Sequence, residues 1–287
     1  MTKPAYTLTA PARRTTCVVF ASPHSGRDYA PSFLRRTTLN EHAIRSSEDA
    51  FVDKLFDVVP QFGAPLIAAV IPRAYVDLNR SLEELDPALI TGVSTAGHNP
   101  RVSSGLGVIP RVVANGQAIY SGKLTLAEAH QRIDRCWKPY HAALQAQLND
   151  AQDKFGQTIL IDCHSMPHEA MDAVVRTGLK RPEVVLGDRF GAAASSHIVD
   201  QVEQAFTQAG FAVTRNTPFA GAYVTQHYGR PSKSVHAIQI EIDRALYMDE
   251  AMIRPNDNFA LFKRRLQSVI SDIAKIGRSD ALPLAAE

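Results

Sequence analysis

The sequence of 287 residues lacks the features of a secreted, membrane or nucleic-acid-binding protein. Its three cysteines, Cys17, Cys136 and Cys163, are too few and too scattered for a disulfide framework or a paired CxxC motif. Lysine plus arginine (31) nearly balances aspartate plus glutamate (29), so the basic excess typical of nucleic-acid binding is missing. No window approaches the roughly 18 apolar residues of a membrane span, and the first residues lack the apolar run of a signal peptide. We expect a cytoplasmic protein without nucleic-acid or membrane partners, and its oligomeric state is left open.

What the sequence does contain is the alternation of apolar strands and amphipathic helices that is typical of α/β enzymes. Strands are predicted at 16–22, 66–71, 158–162, 211–214 and 236–242. Helices are predicted at about 46–59, 125–154, 189–209 and 259–276. The pattern favours a single α/β domain over residues 1–287, with three α/β/α layers around a mixed, mostly parallel sheet.

Residues 91–122 interrupt this alternation with a stretch rich in glycine, serine, asparagine and proline. The stretch is too long for a plain connector, so we expect it to form a lip over a functional site. Thr125 and Glu128 follow it as a T-x-x-E capping box, which predicts the start of the next helix.

Two histidines follow predicted strands. His24 lies in S-P-H-S-G after strand 16–22, and His164 lies in D-C-H-S after strand 158–162. Ligands of open α/β sheets bind at the carboxyl ends of the strands. A histidine alone could simply cap its strand end with hydrogen bonds, but two such positions favour a metal site. Asp162 could then orient one metal-bound imidazole.

A zinc hydrolase usually adds a carboxylate ligand and leaves the fourth position to water. Glu48 and Asp49 are the candidates at the start of the predicted helix 46–59. Glu48 precedes Val52 by four residues and Leu55 by seven, which would place it on the core-facing stripe. We therefore predict Glu48 as the ligand and keep Asp49 as the alternative. Both could instead merely stabilise the positive end of the helix dipole.

A polar cluster follows strand 66–71 in P-R-A-Y-V-D-L-N-R, residues 72–80. Arginine presents a planar fork that matches a carboxylate. Asn79 adds neutral donors beside Arg80, and Arg73 could face an oxyanion. The alternative is a cluster of surface salt bridges.

Glu241 lies in the predicted strand 236–242, whose isoleucines point one way while Gln239 and Glu241 point the other. A carboxylate in so apolar a strand is unusual unless it is paired or functional. Burial raises a carboxyl pKa towards the range of a general base, which is the role we predict. A buried salt bridge to Arg244 is the alternative.

Weaker signals come from a loop and from a thiol. His227 and Arg230 lie in a stretch marked by glycine and proline, and loops often contact substrates. We therefore predict that both bind substrate. Cys163 could serve as a nucleophile, but a buried, small apolar residue is the favoured role for it.

Longer motifs resemble those of the N-formylglutamate amidohydrolases over roughly residues 18–275. They are P-H-S-G at 23–26, S-E-D-A-F-V-D-K-L-F at 47–56, D-L-N-R-S at 77–81, G-L-G-V-I-P-R at 105–111, P-Y-H at 139–141, D-C-H-S-M-P at 162–167, H-Y-G-R-P at 227–231 and Q-I-E-I-D-R-A-L-Y-M at 239–248. The resemblance implies a zinc-exopeptidase-like fold, shared with the metallocarboxypeptidases and aspartoacylase.

The resemblance also implies roles for individual residues. The ligands of one zinc ion per chain would be His24, Glu48 and His164. The residues acting on substrate would be Asn79 and Arg80 for its carboxylate, Arg73 for the oxyanion and Glu241 as the base. The implied reaction is hydrolysis of N-formyl-L-glutamate to formate and glutamate, a step of histidine degradation. A related N-acyl-amino-acid or peptide amidase, and a non-catalytic metal- or ligand-binding relative, are the alternatives.

Overall fold

A mixed seven-stranded sheet forms the centre of the computed structural model, which describes residues 4–94, 99–172, 174–175 and 180–278. In chain order the strands are β1 (Tyr6–Thr9), β2 (Val18–Ser22), β3 (Leu66–Ala69), β4 (Ile90–Thr91), β5 (Leu124–Thr125), β6 (Thr158–Met166), β7 (Val184–Gly187), β8 (Val213–Arg215), β9 (Val235–Asp243), β10 (Met248–Asp249) and β11 (Arg254–Pro255). The sheet has the order β1-β3-β2-β6-β9-β7-β8, while β4 pairs with β5 and β10 with β11.

The central strands of this sheet are parallel. β3, β2, β6 and β9 run in one direction, and β1 and β7 are antiparallel to their neighbours β3 and β9. Every residue of β2 and β6 is buried, because a parallel sheet is covered on both faces. The predicted α/β fold with a mixed, mostly parallel sheet is therefore confirmed.

Helices cover the sheet. They are α1 (Pro31–Leu34), α2 (Val52–Leu55), α3 (Pro100–Ser103), α4 (Leu126–Arg132), α5 (Lys138–Phe155), α6 (Ser196–Gln208), α7 (Tyr223–Tyr228) and α8 (Phe259–Ile276). A π-helical turn, Ile133–Trp137, joins α4 to α5. Thr125 Oγ1 accepts the N–H of Glu128 at 3.1 Å, which is one half of the predicted capping box. No helix among the described residues is long and apolar enough to cross a membrane.

Aromatic contacts hold the helices in two groups. His141 of α5 stacks on Tyr228 of α7, with ring centroids 5.9 Å apart. Phe206 of α6 contacts Phe211, which in turn contacts Phe262 of α8. The apolar stripe that predicts helix 259–276 is the buried face of α8, so the main hydrophobic cluster extends from the sheet through this helix.

Two elements differ from the prediction in ways that affect the site. The helix predicted over 46–59 is reduced to α2, Val52–Leu55, and Phe51 before it has a left-handed φ of 67°. Asp49 N–H donates to the carbonyl of His24 at 3.1 Å instead of continuing a helix. β6 continues four residues beyond the predicted end at 162, so His164 lies inside the strand.

The stretch 91–122 largely corresponds to the excursion between β4 and β5. Its described part contains α3 and a 3-10 turn at Ala114–Gly116, while residues 95–98 lie outside the described residues. This part of the chain lines a cavity together with the ends of the sheet strands. The expectation of a lip over the site therefore agrees with the position of its described residues.

Candidate active site

Three neighbouring strands bring the predicted site residues together. In the parallel register, Ala21 of β2 lies opposite Asp162 of β6, and His164 of β6 lies opposite Glu241 of β9. His24 follows β2 by two residues. All three elements face a cavity of about 560 Å³, a size that suits a small-molecule ligand.

His24, Asp49 and His164 form a buried group at the base of this cavity. Their candidate ligand atoms lie within 4.8 Å of one another. Asp49 Oδ2 is 2.9 Å from His164 Nδ1 and 3.4 Å from His24 Nδ1. His24 Nδ1 is buried without a hydrogen-bond partner among the described residues. A buried polar atom without a partner is costly, so its position calls for a ligand.

Carboxylates fix the opposite nitrogens of both imidazoles. His24 Nε2 lies 2.7 Å from Asp77 Oδ1, and His164 Nε2 lies 2.9 Å from Asp162 Oδ2. A carboxylate on Nε2 favours the tautomer in which Nδ1 carries the free lone pair. Burial alone would lower the pKa of His164, but Asp162 and Asp49 hold that pKa well above its ordinary value. The group therefore concentrates negative charge that a cation would neutralise.

The donor set fits a metal ion. Two imidazole nitrogens and one carboxylate oxygen are the protein ligands typical of catalytic zinc, with a further position open to the cavity. The unpartnered His24 Nδ1 and the two carboxylate-oriented rings are consistent with this assignment.

Asp49 occupies the position that the sequence analysis assigned to Glu48. The Glu48 carboxylate instead accepts hydrogen bonds from Tyr29 Oη at 2.7 Å and from Arg45 Nε at 3.0 Å. The prediction of Glu48 assumed one continuous helix through Val52, but residues 46–51 form turns. The structure therefore groups Asp49, rather than Glu48, with the histidines.

Glu241 faces the cavity from β9 and is 8 % exposed. Its Oε1 accepts a hydrogen bond from Gln239 Nε2 at 2.8 Å, and Gln239 Oε1 accepts the N–H of Ala222 at 3.1 Å. Burial raises the pKa of Glu241 to about 7, against a lowering by the charge of His164. Arg244, the alternative partner, donates instead to Asp49 Oδ1 at 3.0 Å.

Arg73 lies at the cavity between two acidic groups. Its Nη2 donates to Asp77 Oδ2 at 2.8 Å, and its Nη1 is 4.0 Å from Asp49 Oδ1. The side chain is 22 % exposed, so the pair is not a surface salt bridge. Its guanidinium lies beside the group of His24, Asp49 and His164, and its role towards an oxyanion stays a prediction.

Asn79 and Arg80 differ in how far their donors are already used. Asn79 Oδ1 accepts the N–H of Val224 at 2.7 Å, and its Nδ2 lies 3.2 Å from His164 Nε2 and 3.4 Å from Asp162 Oδ2. Asn79 thus supports His164 from behind and has no amide group directed freely at the cavity. Arg80 donates to the carbonyls of Leu106 and Asn79 and has no carboxylate partner within the described ranges.

His227 and Arg230 lie away from the cavity that holds the histidines. Both line a second cavity of about 840 Å³. His227 stacks on Tyr223 at 4.9 Å between centroids, and Arg230 Nη1 donates to Gln226 O at 2.8 Å. His227 lies on α7 and Arg230 follows that helix, so both face this second cavity rather than the histidines, and their contact with substrate stays a prediction.

Some functional contacts were visible in the sequence only as possibilities. Asp77 belonged to the cluster at 72–80, and Gln239 shared the strand face of Glu241, but neither pattern indicates a partner. Arg244 was considered as a partner of Glu241 and contacts Asp49 instead. Cys163 is buried, and burial raises its thiol pKa well above the ordinary value, which favours the predicted role of a buried apolar residue over that of a nucleophile.

Comparison with known proteins gives consistent matches over most of the chain. A family model described as N-formylglutamate amidohydrolase matches residues 16–248. The N-formylglutamate deformylases of Pseudomonas putida and Pseudomonas aeruginosa are 27 % and 28 % identical to the chain, each over 240 residues that cover 81 % of it and 82 % of the relative. The crystal structure of N-formylglutamate amidohydrolase from Ralstonia eutropha JMP134 superposes with a TM-score of 0.89 at 35 % identity, covering 96 % of this chain and 99 % of the other.

Proposed function

The chain belongs to the N-formylglutamate amidohydrolase family, and from this premise we propose that it hydrolyses N-formyl-L-glutamate to formate and L-glutamate. The observation that carries the proposal is the buried group of His24, Asp49 and His164, with Glu241 opposite His164 in the sheet register. This arrangement supplies cation ligands and a carboxylate base in one cavity of substrate size.

We propose one Zn²⁺ per chain as the cofactor, held by His24 Nδ1, His164 Nδ1 and the carboxylate of Asp49. Bound there, the ion would polarise the formyl carbonyl and acidify the attacking water. Asp77 and Asp162 orient the two imidazoles through their Nε2 atoms.

Glu241 serves as the base in this proposal. Gln239 occupies Oε1, which leaves Oε2 to accept the proton of the attacking water. The same carboxyl then gives a proton to the nitrogen of the leaving glutamate. Its raised pKa, about 7, suits both transfers near neutral pH.

Two arginines complete the proposed mechanism. Arg73 stabilises the negative charge that develops on the formyl oxygen as the carbonyl carbon becomes tetrahedral. Arg80, which is buried and free of carboxylate partners in the described residues, binds a substrate carboxylate. Asn79 has a positioning role behind His164. We propose a cytoplasmic location, since the three cysteines are buried and unpaired.

The test is formate release by the purified, zinc-loaded protein. N-formyl-L-glutamate should be turned over faster than N-acetyl-L-glutamate and a short N-formyl peptide, with formate and glutamate formed in equal amounts. Glu241→Gln should retain its zinc and lower kcat by roughly 10²–10⁴-fold, because an amide cannot accept the water proton. Preference for the acetyl or peptide substrate would indicate a related amidase. Equal activity of the Gln variant would remove Glu241 as the base.

A further inference from the structure

Four arginines line the cavity that holds the histidines, and two of them have no acidic partner within the described ranges. Arg73 is paired with Asp77 and Arg244 with Asp49. Within the described residues, the guanidinium of Arg80 donates hydrogen bonds to carbonyl oxygens only. The exposed side chain of Arg101 makes no hydrogen bond or ion pair with the part of the chain that the structure describes.

The charges of these two arginines reinforce each other. Burial lowers the pKa of Arg80, the negative charge of Asp77 raises it, and the positive charges of Arg73 and Arg101 lower it further. Neither Asp77 nor Glu84, the acidic residues nearby, forms an ion pair with Arg80, so its guanidinium can still attract and bind an anion. Arginine in particular matches a carboxylate with two parallel N–H donors.

The backbone links Arg101 to Arg80 and holds it at the cavity. Asn99 caps α3 by accepting the N–H groups of Arg101 and Val102. Leu106 N–H donates to the Arg101 carbonyl at 2.8 Å, and Arg80 Nε donates to the Leu106 carbonyl at 2.9 Å. Arg101 is thus exposed at the rim, whereas Arg80 is buried and its charge acts on Asp77, the carboxylate that contacts His24.

We propose that Arg101 binds the side-chain carboxylate of an acidic N-formyl amino acid, while Arg80 binds its α-carboxylate. The inference rests on the proposed function. The α-carboxylate is attached to the same α-carbon as the scissile amide nitrogen. It must therefore stay near the reacting centre, and the buried Arg80 suits it. The side-chain carboxylate lies farther along the substrate and reaches the rim, where Arg101 is exposed. The excursion between β4 and β5 thereby selects dicarboxylic substrates.

The test pairs variants with substrates that lack one carboxylate each. The substrates are N-formyl-L-glutamate, N-formyl-L-glutamine and N-formyl-L-glutamic acid α-amide. Arg101→Gln should lower kcat/KM about 10- to 100-fold for N-formyl-L-glutamate and for the α-amide, on the scale of a charge-assisted hydrogen bond. For N-formyl-L-glutamine the change should stay within about twofold, because no side-chain charge is lost. Arg101→Lys should recover part of the loss.

Arg264→Gln is the matched control, since Arg264 is an exposed arginine on α8, away from the cavity. Equal losses on all three substrates would overturn the proposal in favour of a structural role for Arg101. A loss on N-formyl-L-glutamine with no loss on the α-amide would reverse the assignment of the two arginines.

Direct binding separates this proposal from the proposed function. Calorimetric titration of zinc-loaded protein with L-glutamate should show weaker binding for Arg101→Gln, and titration with L-glutamine should show no difference. If wild-type protein releases no formate but the binding difference is present, the hydrolytic function fails and the carboxylate site stands. If formate is released and neither measurement responds to Arg101, the carboxylate site fails alone.

Discussion

At the residue scale, the choice between two adjacent carboxylates depends on the backbone of one turn. Asp49 is turned towards the histidines, whereas Glu48 is held by Tyr29 and Arg45. We expect Asp49→Ala to lose most of its bound zinc and Glu48→Ala to retain about one ion per chain. Elemental analysis after gel filtration measures both. Retention of zinc by Asp49→Ala, with the fold intact by circular dichroism, would contradict the assignment.

The buried Glu241 should also affect stability in the metal-depleted protein. Its folded-state pKa of about 7 lies above the ordinary carboxyl value of 4.5, so the unfolded chain releases this proton first. Stability should therefore fall as pH rises from about 4.5 to 7, by a cost on the order of 3 kcal/mol. Glu241→Gln should lack this decline. Urea unfolding of both chelated proteins at pH 5 and pH 8 measures it, and identical pH dependence would contradict it.

At the scale of elements, the turn after β2 depends on a close approach between backbones. Gly26 lies two residues beyond His24, and a Cβ on it would be 1.9 Å from the carbonyl oxygen of Ile71. Gly156 ends α5 with a φ of 68° and has open space around it. Gly26 is required because a side chain would collide with the backbone of Ile71, and Gly156 because its backbone is left-handed.

This difference gives a matched pair of substitutions. Gly26→Ala should displace the turn that carries His24 and lower zinc content, and should destabilise by about 1–3 kcal/mol or more. Gly156→Ala should cost about 1 kcal/mol, the penalty of a left-handed alanine, with zinc content unchanged. Chemical unfolding and metal analysis compare the two. Full zinc content in Gly26→Ala would mean that the turn shifts without moving His24.

Elements with a local pattern could be predicted from the sequence. Neighbouring residues alone reveal the apolar runs of β2, β3, β6 and β9 and the apolar stripe of α8. β1 was not predicted, because it is a four-residue, mostly exposed edge strand, too short for its alternation to stand out. The helix through residue 48 was wrong because the hydrogen bond from Asp49 to His24, 25 residues away in the chain, competes with it. The histidines could be found because each follows an apolar run in the sequence. The choice of Asp49 as the carboxylate beside them depends on tertiary contacts, which the sequence does not display.

At the scale of the whole molecule, the size of the sheet and its core leads us to expect that the chain folds without the metal. The main hydrophobic cluster extends over both faces of the sheet, unlike the small core of a zinc-dependent domain. The three ligands reach the site from a strand end, a turn and a strand interior. The single domain expected over residues 1–287 stays a prediction.

Chelation should therefore lower the melting temperature without unfolding the protein. Free zinc at about 100 times its Kd stabilises by about 2.7 kcal/mol, which corresponds to roughly 5–10 °C for a chain of this size. Thermal denaturation with chelator and after zinc is restored measures the change. Asp49→Ala should show no such difference. Loss of far-UV circular dichroism at room temperature on chelation would contradict a preformed site.

The excursion between β4 and β5 carries Arg101, while His24, His164 and Glu241 are tied to three hydrogen-bonded strands. Because these three groups lie on or next to sheet strands, side-chain changes at the exposed rim of the excursion can accumulate without disturbing them. Preference for one acyl amino acid over another can then drift in evolution, or be redesigned by exchanging this segment, while the hydrolytic machinery is inherited unchanged.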